Sequence, residues 1–295
     1  MNNHHTNKIQ QVSPPLGAGG AVWLASYPKS GNTWFRLFLM ALLNESEVNI
    51  NDMETNDMFS KKVLMESVLD LDSDLLRPSQ IAQYQRLTFE HLSRTANKPL
   101  FIKIHDAFTF SETEGLPLIP ENATKIAIYI IRNPLDVTLS LANHVGFTID
   151  KTIEKLICNP KGRVGHRKNS AYHQFYQPLG TWSMHVASWL ERPNFPVHFV
   201  QYEDLKAQPF ETFKAAVVAM DLEVTDEQIK KAIEATEFEK LKKQEEERGF
   251  VERHIPTAPF FHKGQVGRWK EELTAEQIEK IRAVNEHMMR RFGYW

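Results

Sequence analysis

Val22 to Leu43 read VWLASYPKSGNTWFRLFLMALL, and the fold turns on how this stretch divides. Val22 to Ser26 is a short apolar run with the length and residue types of a buried strand. Thr33 to Leu43 carries apolar residues at nearly every turn position and neither Gly nor Pro, which predicts a buried helix. Tyr27 to Asn32, between them, holds one Pro, one Lys and one Gly. A strand that passes through a tight glycine-containing loop into a helix aims several backbone N–H groups at one point. The helix N-terminus adds partial positive charge there. Lys29 places a mobile cation over that point, Ser30 and Thr33 offer hydroxyls, and Trp34 follows where a ring can stack on a base. The stretch predicts a phosphate cradle. It differs from the common nucleotide form, G-x-x-x-x-G-K-[ST], which occurs nowhere in the chain, because Lys29 precedes its glycine. On this loop alone, an ordinary strand–turn–helix with an exposed lysine is an equal reading.

The 295 residues are enough for one large α/β domain with a full core. With 35 Lys+Arg against 37 Asp+Glu the formal charge is −2, so nothing global points to a nucleic-acid partner. Anion specificity must come from local basic positions. A single cysteine, Cys158, excludes an internal disulfide and fits a reducing compartment. No apolar run approaches the ~20 residues that cross a bilayer. Residues 1–20 are polar and lack the basic-then-apolar pattern of a signal peptide, which predicts a flexible tail ahead of a domain at 21–295. His4 and His5 read as solvated tail residues. A cytoplasmic protein without a membrane or nucleic-acid partner is expected.

Ile126 to Ile131 (IAIYII) is the strongest strand signal, apolar and β-branched as a central parallel strand should be. Arg132 follows it, Asn133 suits an N-cap and Pro134 a first helical position, so Leu135 to His144 is predicted helical. Leu100 to Ile104 (LFIKI) is a second strand, leading into Lys103-Ile104-His105. Val197 to Gln201 is another, leading into Tyr202-Glu203-Asp204. Ligands collect at the carboxyl ends of parallel strands, and these units bring basic residues to one such edge. Further helices are predicted at 59–71, 79–96 (one or two), 151–157, 181–190 and 210–220, with Trp182 and Trp189 on related faces. Thr225 with Gln228 and Thr274 with Gln277 fit capping boxes. Lys240 to Arg248 reads as a solvated helix face. The fold class expected is α/β, a single domain with a central parallel sheet flanked by helices.

These features together resemble the PAPS-dependent sulfotransferases, the soluble type that sulfonates small molecules with 3′-phosphoadenosine 5′-phosphosulfate (PAPS). YPKSGNTW (Tyr27 to Trp34) is similar to the family's P-loop-like 5′-phosphosulfate loop, YPKSGTTW. IYIIRNPLDVTLS (Ile128 to Ser140) resembles its 3′-phosphate motif, and KIH (Lys103 to His105) its Lys-x-His. TWSMHVASW (Thr181 to Trp189), QYEDLKAQP (Gln201 to Pro209) and HKGQVGRWKEELT (His262 to Thr274) resemble three further segments, all in the family's order. A bacterial member is expected.

The resemblance implies that Lys29, Ser30, Gly31, Asn32, Thr33 and Trp34 hold the 5′-phosphosulfate, with Trp34 also against the adenine. Arg132, Ser140, His262, Lys263 and Gly264 would bind the 3′-phosphate, and Tyr202, Thr236 and Phe238 would line the adenine. Lys270, Thr274 and Glu279 resemble the family's dimer motif and imply a homodimer. The chain departs from the pattern at Asn32 (usually Thr), His262 (Arg), Glu237 (Ser) and Ala275 (Val). Asn32 should keep a polar donor in the loop. His262 would weaken 3′-phosphate binding unless it is protonated or a neighbour compensates.

Sulfuryl transfer needs in-line positioning and charge stabilisation, as phosphoryl transfer does. His105 has the residue type of a base that takes the acceptor's proton. Lys29 suits the bridging oxygen, where charge grows as the phosphate leaves, and Lys103 the sulfuryl oxygens. Arg132 offers a planar fork to phosphate, unless it pairs with Asp136. The scheme needs no metal, and no HExxH or paired Cys/His spacing occurs.

The acceptor walls are expected from the loop after His105, the region 147–176 and a lid over 249–261. Asp106 and Phe108 are the candidate acceptor-binding residues, with Phe110, Glu112 and Glu114 beyond them. Phenol-binding relatives are apolar just after this histidine. The acids here therefore point to a small polar, cationic acceptor carrying a hydroxyl or amine, or else they face solvent. Two other readings stay open: a P-loop-type kinase using ATP, and a catalytically idle nucleotide-binding module.

Overall fold

Six consecutive residues with no exposure make β1 (Ala21–Ser26) the middle of the molecule. The computed structural model describes residues 19–44, 48–53, 57–111, 115–165, 174–253, 255 and 258–295; the expected tail, apart from Gly19 and Gly20, lies outside them. Parallel to β1 run β2 (Asp57–Met58), β3 (Leu100–Ile104) and β4 (Thr124–Ile131), while β5 (Arg163–Val164) and β6 (Gln177–Pro178) form a separate antiparallel pair. With β7 (Val197–Gln201) the main sheet has the order β2-β3-β1-β4-β7, parallel throughout.

The helices follow in chain order. They are α1 (Asn32–Asn44), α2 (Lys62–Leu69), α3 (Pro78–Thr95), α4 (Pro134–Val145), α5 (Ile149–Thr152) and α6 (Trp182–Glu191). After β7 come α7 (Tyr202–Ala207), α8 (Pro209–Ala219), α9 (Asp226–Ala235), α10 (Phe238–Arg248), α11 (Trp269–Glu272) and α12 (Ala275–Arg291).

Side chains alternate across the sheet, and both faces are covered. Trp23, Ala25, Ala127, Tyr129 and Ile131 face Trp182 and Trp189 of α6 and Met288 of α12. Val22, Leu24, Ile128 and Ile130 face Phe35 and Phe38 of α1 and Phe213 of α8. Phe38 and Phe213 stack with ring centroids 3.8 Å apart. Burial on both sides is why IAIYII reads as an unbroken apolar run, since neither face of a central parallel strand meets water. Each large side chain removed from water here contributes about 1.5–3 kcal/mol.

The local signals hold at several helix ends. Asn133 accepts from the Leu135 N–H, Pro134 opens α4 and left-handed Gly146 closes it. Both expected capping boxes form, at Thr225/Gln228 and Thr274/Gln277. The segment 79–96 is the single helix α3. Among the described residues no helix is long and apolar enough to cross a membrane.

Three expectations change. The helix expected over 151–157 is one α-helical turn followed by a π-helical turn at Ile153–Ile157. Residues 44–57 are polar and acidic and read as a loop, yet the edge strand β2 begins at their end, and the Phe59 N–H just after it donates to the Lys103 carbonyl. The face of α10 is not wholly solvated, because Glu245 is buried and accepts from the Phe260 and Phe261 N–H groups at 2.7 and 2.8 Å.

Candidate active site

Four strand ends open on one cavity. The loop after β1 brings Lys29 and Thr33, β3 ends beside His105, β4 beside Arg132 and β7 beside Tyr202, and all of these line a volume of about 580 Å³. Lys29 and Arg132 therefore stand on the same cavity, and an Arg132 Nη1–H reaches the Lys29 carbonyl at 3.5 Å.

The loop after β1 is tightly wound. Lys29 and Gly31 take φ of +69° and +108°. A Cβ at Gly31 would come 2.7 Å from the Tyr202 ring, so only glycine fits. Left-handed Lys29 is a strained backbone of the kind that collects at functional sites. The Asn32 amide donates to the Leu24 carbonyl at 2.8 Å, so the donor expected to serve the ligand pins the loop to β1 instead. Ser30 is fully buried, its hydroxyl has no partner, and it does not line the cavity.

Arg132 lies over the Tyr202 ring at 4.2 Å and donates to the Gln265 carbonyl at 2.8 Å, leaving Nε without a partner. Asp136 does not pair with it. The Asp136 carboxylate accepts from the Gly267 and Trp269 N–H groups at 2.7 and 3.1 Å, which fastens the C-terminal segment to α4. That segment brings His262, Lys263 and Gly264 to the cavity, beside Ser140. A Cβ at Gly264 would meet the Phe238 ring at 2.6 Å. His262 is held below its usual pKa by burial and then by Arg268 and Lys263. Protonation of His262 is thus disfavoured, while a second cation, Arg268, also lines the cavity. Glu272 accepts from both Arg268 (2.7 Å) and Lys263 (3.0 Å).

Of the expected adenine residues, Trp34, Tyr202 and Phe238 line the cavity, whereas Thr236 does not. Its side chain is fully buried and donates to the Ala232 carbonyl at 2.8 Å. Lys206, absent from the sequence reading, sits 5.6 Å from the Trp34 ring and 5.8 Å from that of Phe238. Its signal was its place four residues after Tyr202, one turn along α7.

His105 has its Nδ1 2.9 Å from the Ser26 carbonyl oxygen and 3.2 Å from the Ser26 hydroxyl. A carbonyl only accepts, so the proton sits on Nδ1 and Nε2 keeps a free lone pair. Burial, then the nearby Lys103 charge, pushes this imidazole down to about 3, with the Ser26 carbonyl opposing. The buried His185, also missed, accepts from the Tyr129 hydroxyl at 2.8 Å and donates from Nε2 to the His105 carbonyl at 2.9 Å.

Burial pushes the Lys29 ammonium down to about 7, Glu252 opposing and Lys103 and Arg132 adding to the shift. Its Nζ lies 3.4 Å over the Phe260 ring. Burial likewise brings Lys103 to about 8, again opposed by Glu252. Glu252 bonds Lys103 at 3.0 Å and Arg36 at 2.7 Å. Neither Glu252 nor Arg36 carries a recognisable motif in the sequence.

The acceptor-binding residues expected from the sequence are corrected. Asp106 is buried and does not line the cavity, and burial holds its carboxyl well above the usual range. Phe108 is fully buried, edge-on to Trp189, Phe110 and Phe195. The cause is α6. Trp189 Nε1 donates to the Asp106 carbonyl at 3.0 Å and the Ser188 hydroxyl accepts from the Phe108 N–H at 2.9 Å, drawing the chain into the core. Glu112 and Glu114 lie outside the described residues. The cavity is lined besides by apolar Met58, Val63, Val145, Phe147, Leu156 and Val164, and by polar Lys61, Asn143, His144, Arg163, Gln174 and Gln177.

Lys270, Thr274 and Glu279 are all exposed and apart from the cavity, and the Thr274 hydroxyl accepts from the Gln277 N–H to cap α12. Among the described residues no cluster of His, Cys, Asp and Glu has a metal-binding arrangement.

Comparison with known proteins agrees with this architecture. Mouse sulfotransferase 1B1 is 30% identical over 291 residues, covering 92% of this chain and 83% of the mouse protein. Cytosolic sulfotransferase 10 of Arabidopsis thaliana is 26% identical over 285 residues, covering 92% and 78%. These relatives come from a mammal and a plant, so the expected bacterial origin is not borne out. Among solved structures, mouse sulfotransferase SULT7A1 complexed with PAP (adenosine 3′,5′-bisphosphate) matches with a TM-score of 0.56 at 23% identity, over 92% of this chain and 85% of that one. Retinol dehydratase in complex with androsterone and inactive cofactor PAP matches at 0.59 and 18% identity, over 92% and 80%. These two carry the fold. The model of the sulfotransferase domain matches residues 20–293, nearly the whole of the chain, and the chain belongs to that family.

Proposed function

We propose that this chain moves a sulfuryl group from PAPS to a hydroxyl or amine of a small molecule, with His105 as base. The observation that carries this reading is the convergence of Lys29, Lys103 and Arg132 on the cavity into which neutral His105 offers a free Nε2. The residues fit the donor. Arg132 Nε and Trp34 Nε1 are buried polar atoms without partners beside the cavity, and Gly31 and Gly264 keep backbone close to rings that a side chain would displace.

PAPS supplies an SO₃ unit on a phosphate leaving group. The rest falls to the chain. Arg132, Ser140, Lys263 and Arg268 hold the 3′-phosphate, while Trp34, Tyr202 and Phe238 hold the adenine. Lys29 neutralises the leaving phosphate, and Lys103 the sulfuryl oxygens. His105 takes the acceptor's proton on Nε2. Its low pKa reflects burial beside cations, and an anion bound among Lys29, Lys103 and Arg132 raises it toward the useful range. Met58, Val145, Phe147 and Leu156 offer contact to an apolar body, and the lining cations Lys61 and Arg163 disfavour the cationic acceptor that Asp106 suggested. The names of the plant relatives support a cytosolic site of action, and the exposed Lys270, Thr274 and Glu279 remain available to a homodimer.

Calorimetry with PAP, ATP and ADP tests the donor. PAP should bind tightest, and a preference for ATP would overturn the reading in favour of a kinase. His105→Ala should keep PAP affinity and lose turnover by about 10²–10⁴-fold. Full turnover in that variant would remove the histidine base.

A further inference from the structure

We propose that Glu252 is a positioning residue for transfer: its carboxylate, anchored by the buried Arg36, holds the Lys103 ammonium and the Thr33 hydroxyl where the donor's charged end is received. The inference rests on the sulfotransferase reading above and adds to it a residue that no motif marks.

The contacts come from three distant parts of the chain. Arg36 lies one turn beyond Thr33 on α1, on the same helical face. It has no exposure, and its Nη1 and Nη2 both donate to Glu252 Oε1, at 2.8 and 2.7 Å. Lys103 Nζ donates to that same oxygen at 3.0 Å, and Thr33 Oγ1 donates to Oε2 at 3.1 Å. All four residues line the cavity. Glu252 is itself fixed, since the adjacent Val251 N–H donates to Asn51 Oδ1 at 2.9 Å.

The charges around Lys103 explain why a carboxylate is needed. Arg36 faces it from α1, Lys29 and Arg132 stand after β1 and β4, and His105 follows just past the end of its own strand. The buried acid of α10, Glu245, acts on Lys29 from a distance, but its oxygens are occupied by the Phe260 and Phe261 N–H groups. Glu252 is thus the anion in direct contact with this cluster among the described residues. Burial alone would push the Glu252 carboxyl up, but Arg36 and Lys103 hold it well below the carboxylate range, so it stays ionised and is no base. Four donors occupy its two oxygens, which fixes the Lys103 stem and keeps its ammonium charged.

The test uses the full chain with Glu252→Gln, which keeps the shape and removes the charge. Because a lone buried guanidinium can prevent folding, Arg36→Met/Glu252→Leu serves as the second variant, with neither charge present. Three quantities are read: PAP affinity by calorimetry, kcat for PAPS cleavage, and the pH titration of the Lys103 ¹⁵Nζ signal, assigned by its absence in Lys103→Arg. The acceptor for PAPS cleavage is the best from a screen of phenols, alcohols and amines, or water if none serves.

Both variants should bind PAP within about threefold of the parent and lose about 30-fold in kcat. In Glu252→Gln the Lys103 signal should titrate at least about one pH unit lower. Tighter PAP binding by about tenfold with kcat retained would mean that the donor displaces Glu252, and the proposal falls. A lower Tm with kcat and the Lys103 titration unchanged would make Glu252 purely structural, and the proposal falls again. If the parent neither binds PAP nor cleaves PAPS, the sulfotransferase reading fails, while the Lys103 titration still decides the role of Glu252.

Discussion

Where the proposed donor would bind, Lys29, Arg132 and Tyr202 each stand within three residues of the end of a parallel strand. Elsewhere on the cavity, Met58 comes from an edge strand, Val145 from the last turn of α4, Leu156 from a π-helical turn and Val164 from a two-residue strand. The first group is placed by a hydrogen-bonded ladder that also builds the core. The second, apart from Met58 in β2, is placed by elements outside the main sheet. On the function proposed above, donor recognition is therefore tied to the parallel sheet, and acceptor recognition rests largely on elements outside it.

The largest expected effect that tests this division is at Lys29. Lys29→Met should lower kcat/KM by about 10³-fold with little loss of stability, measured by initial rates and thermal melting. A loss below tenfold would break the claim that the donor end depends on strand-end cations.

The next effect is in the pH dependence of donor binding. Lys29 titrates near 7 in the free protein, and a bound polyanion raises that value, so binding above pH 7 must take up a proton. PAP affinity should be flat below pH 7 and fall by up to about tenfold per pH unit above it, and Lys29→Met should flatten the slope. Calorimetry in buffers of different ionisation enthalpy would count the proton directly.

Gly264→Ala follows. Its φ of +59° and the Phe238 ring 2.6 Å from a built Cβ predict about fivefold weaker PAP binding, with acceptor KM unchanged. A shift in acceptor KM instead would couple the two ends. The smallest effect belongs to Asp106→Asn, which should leave acceptor KM within about twofold, whereas Val145→Ala should change it more. Equal effects would return Asp106 to the acceptor site.

The same contrast explains what could be read from the chain. Asn133 and Pro134 declare the start of α4 because an N-cap and a first-turn proline act on their immediate neighbours. The loop around Lys29 is equally local. Asp106 and Phe108 mislead because their burial is decided by Ser188 and Trp189, 80 or more residues away. Glu252 is silent in the sequence because its partners Arg36 and Lys103 are 216 and 149 residues distant. Glu245 sits in a charged run that looks solvated, and only the return of Phe260 and Phe261 over α10 buries it. Periodicity records what a residue does within its own element. It is blind to which foreign backbone comes to cover it.

The order β3-β1-β4-β7 turns the sheet into a ruler. Neighbouring strands lie about 4.8 Å apart, so the tips that carry His105, Lys29, Arg132 and Tyr202 are graduated over about 14 Å. Reach from the proposed base to the proposed phosphate clamp is thus set by interstrand spacing, a quantity no side-chain substitution can stretch. Variants that take up new acceptors can be sought freely among the surrounding connections, because the scale along which the chemistry is laid out stays the same.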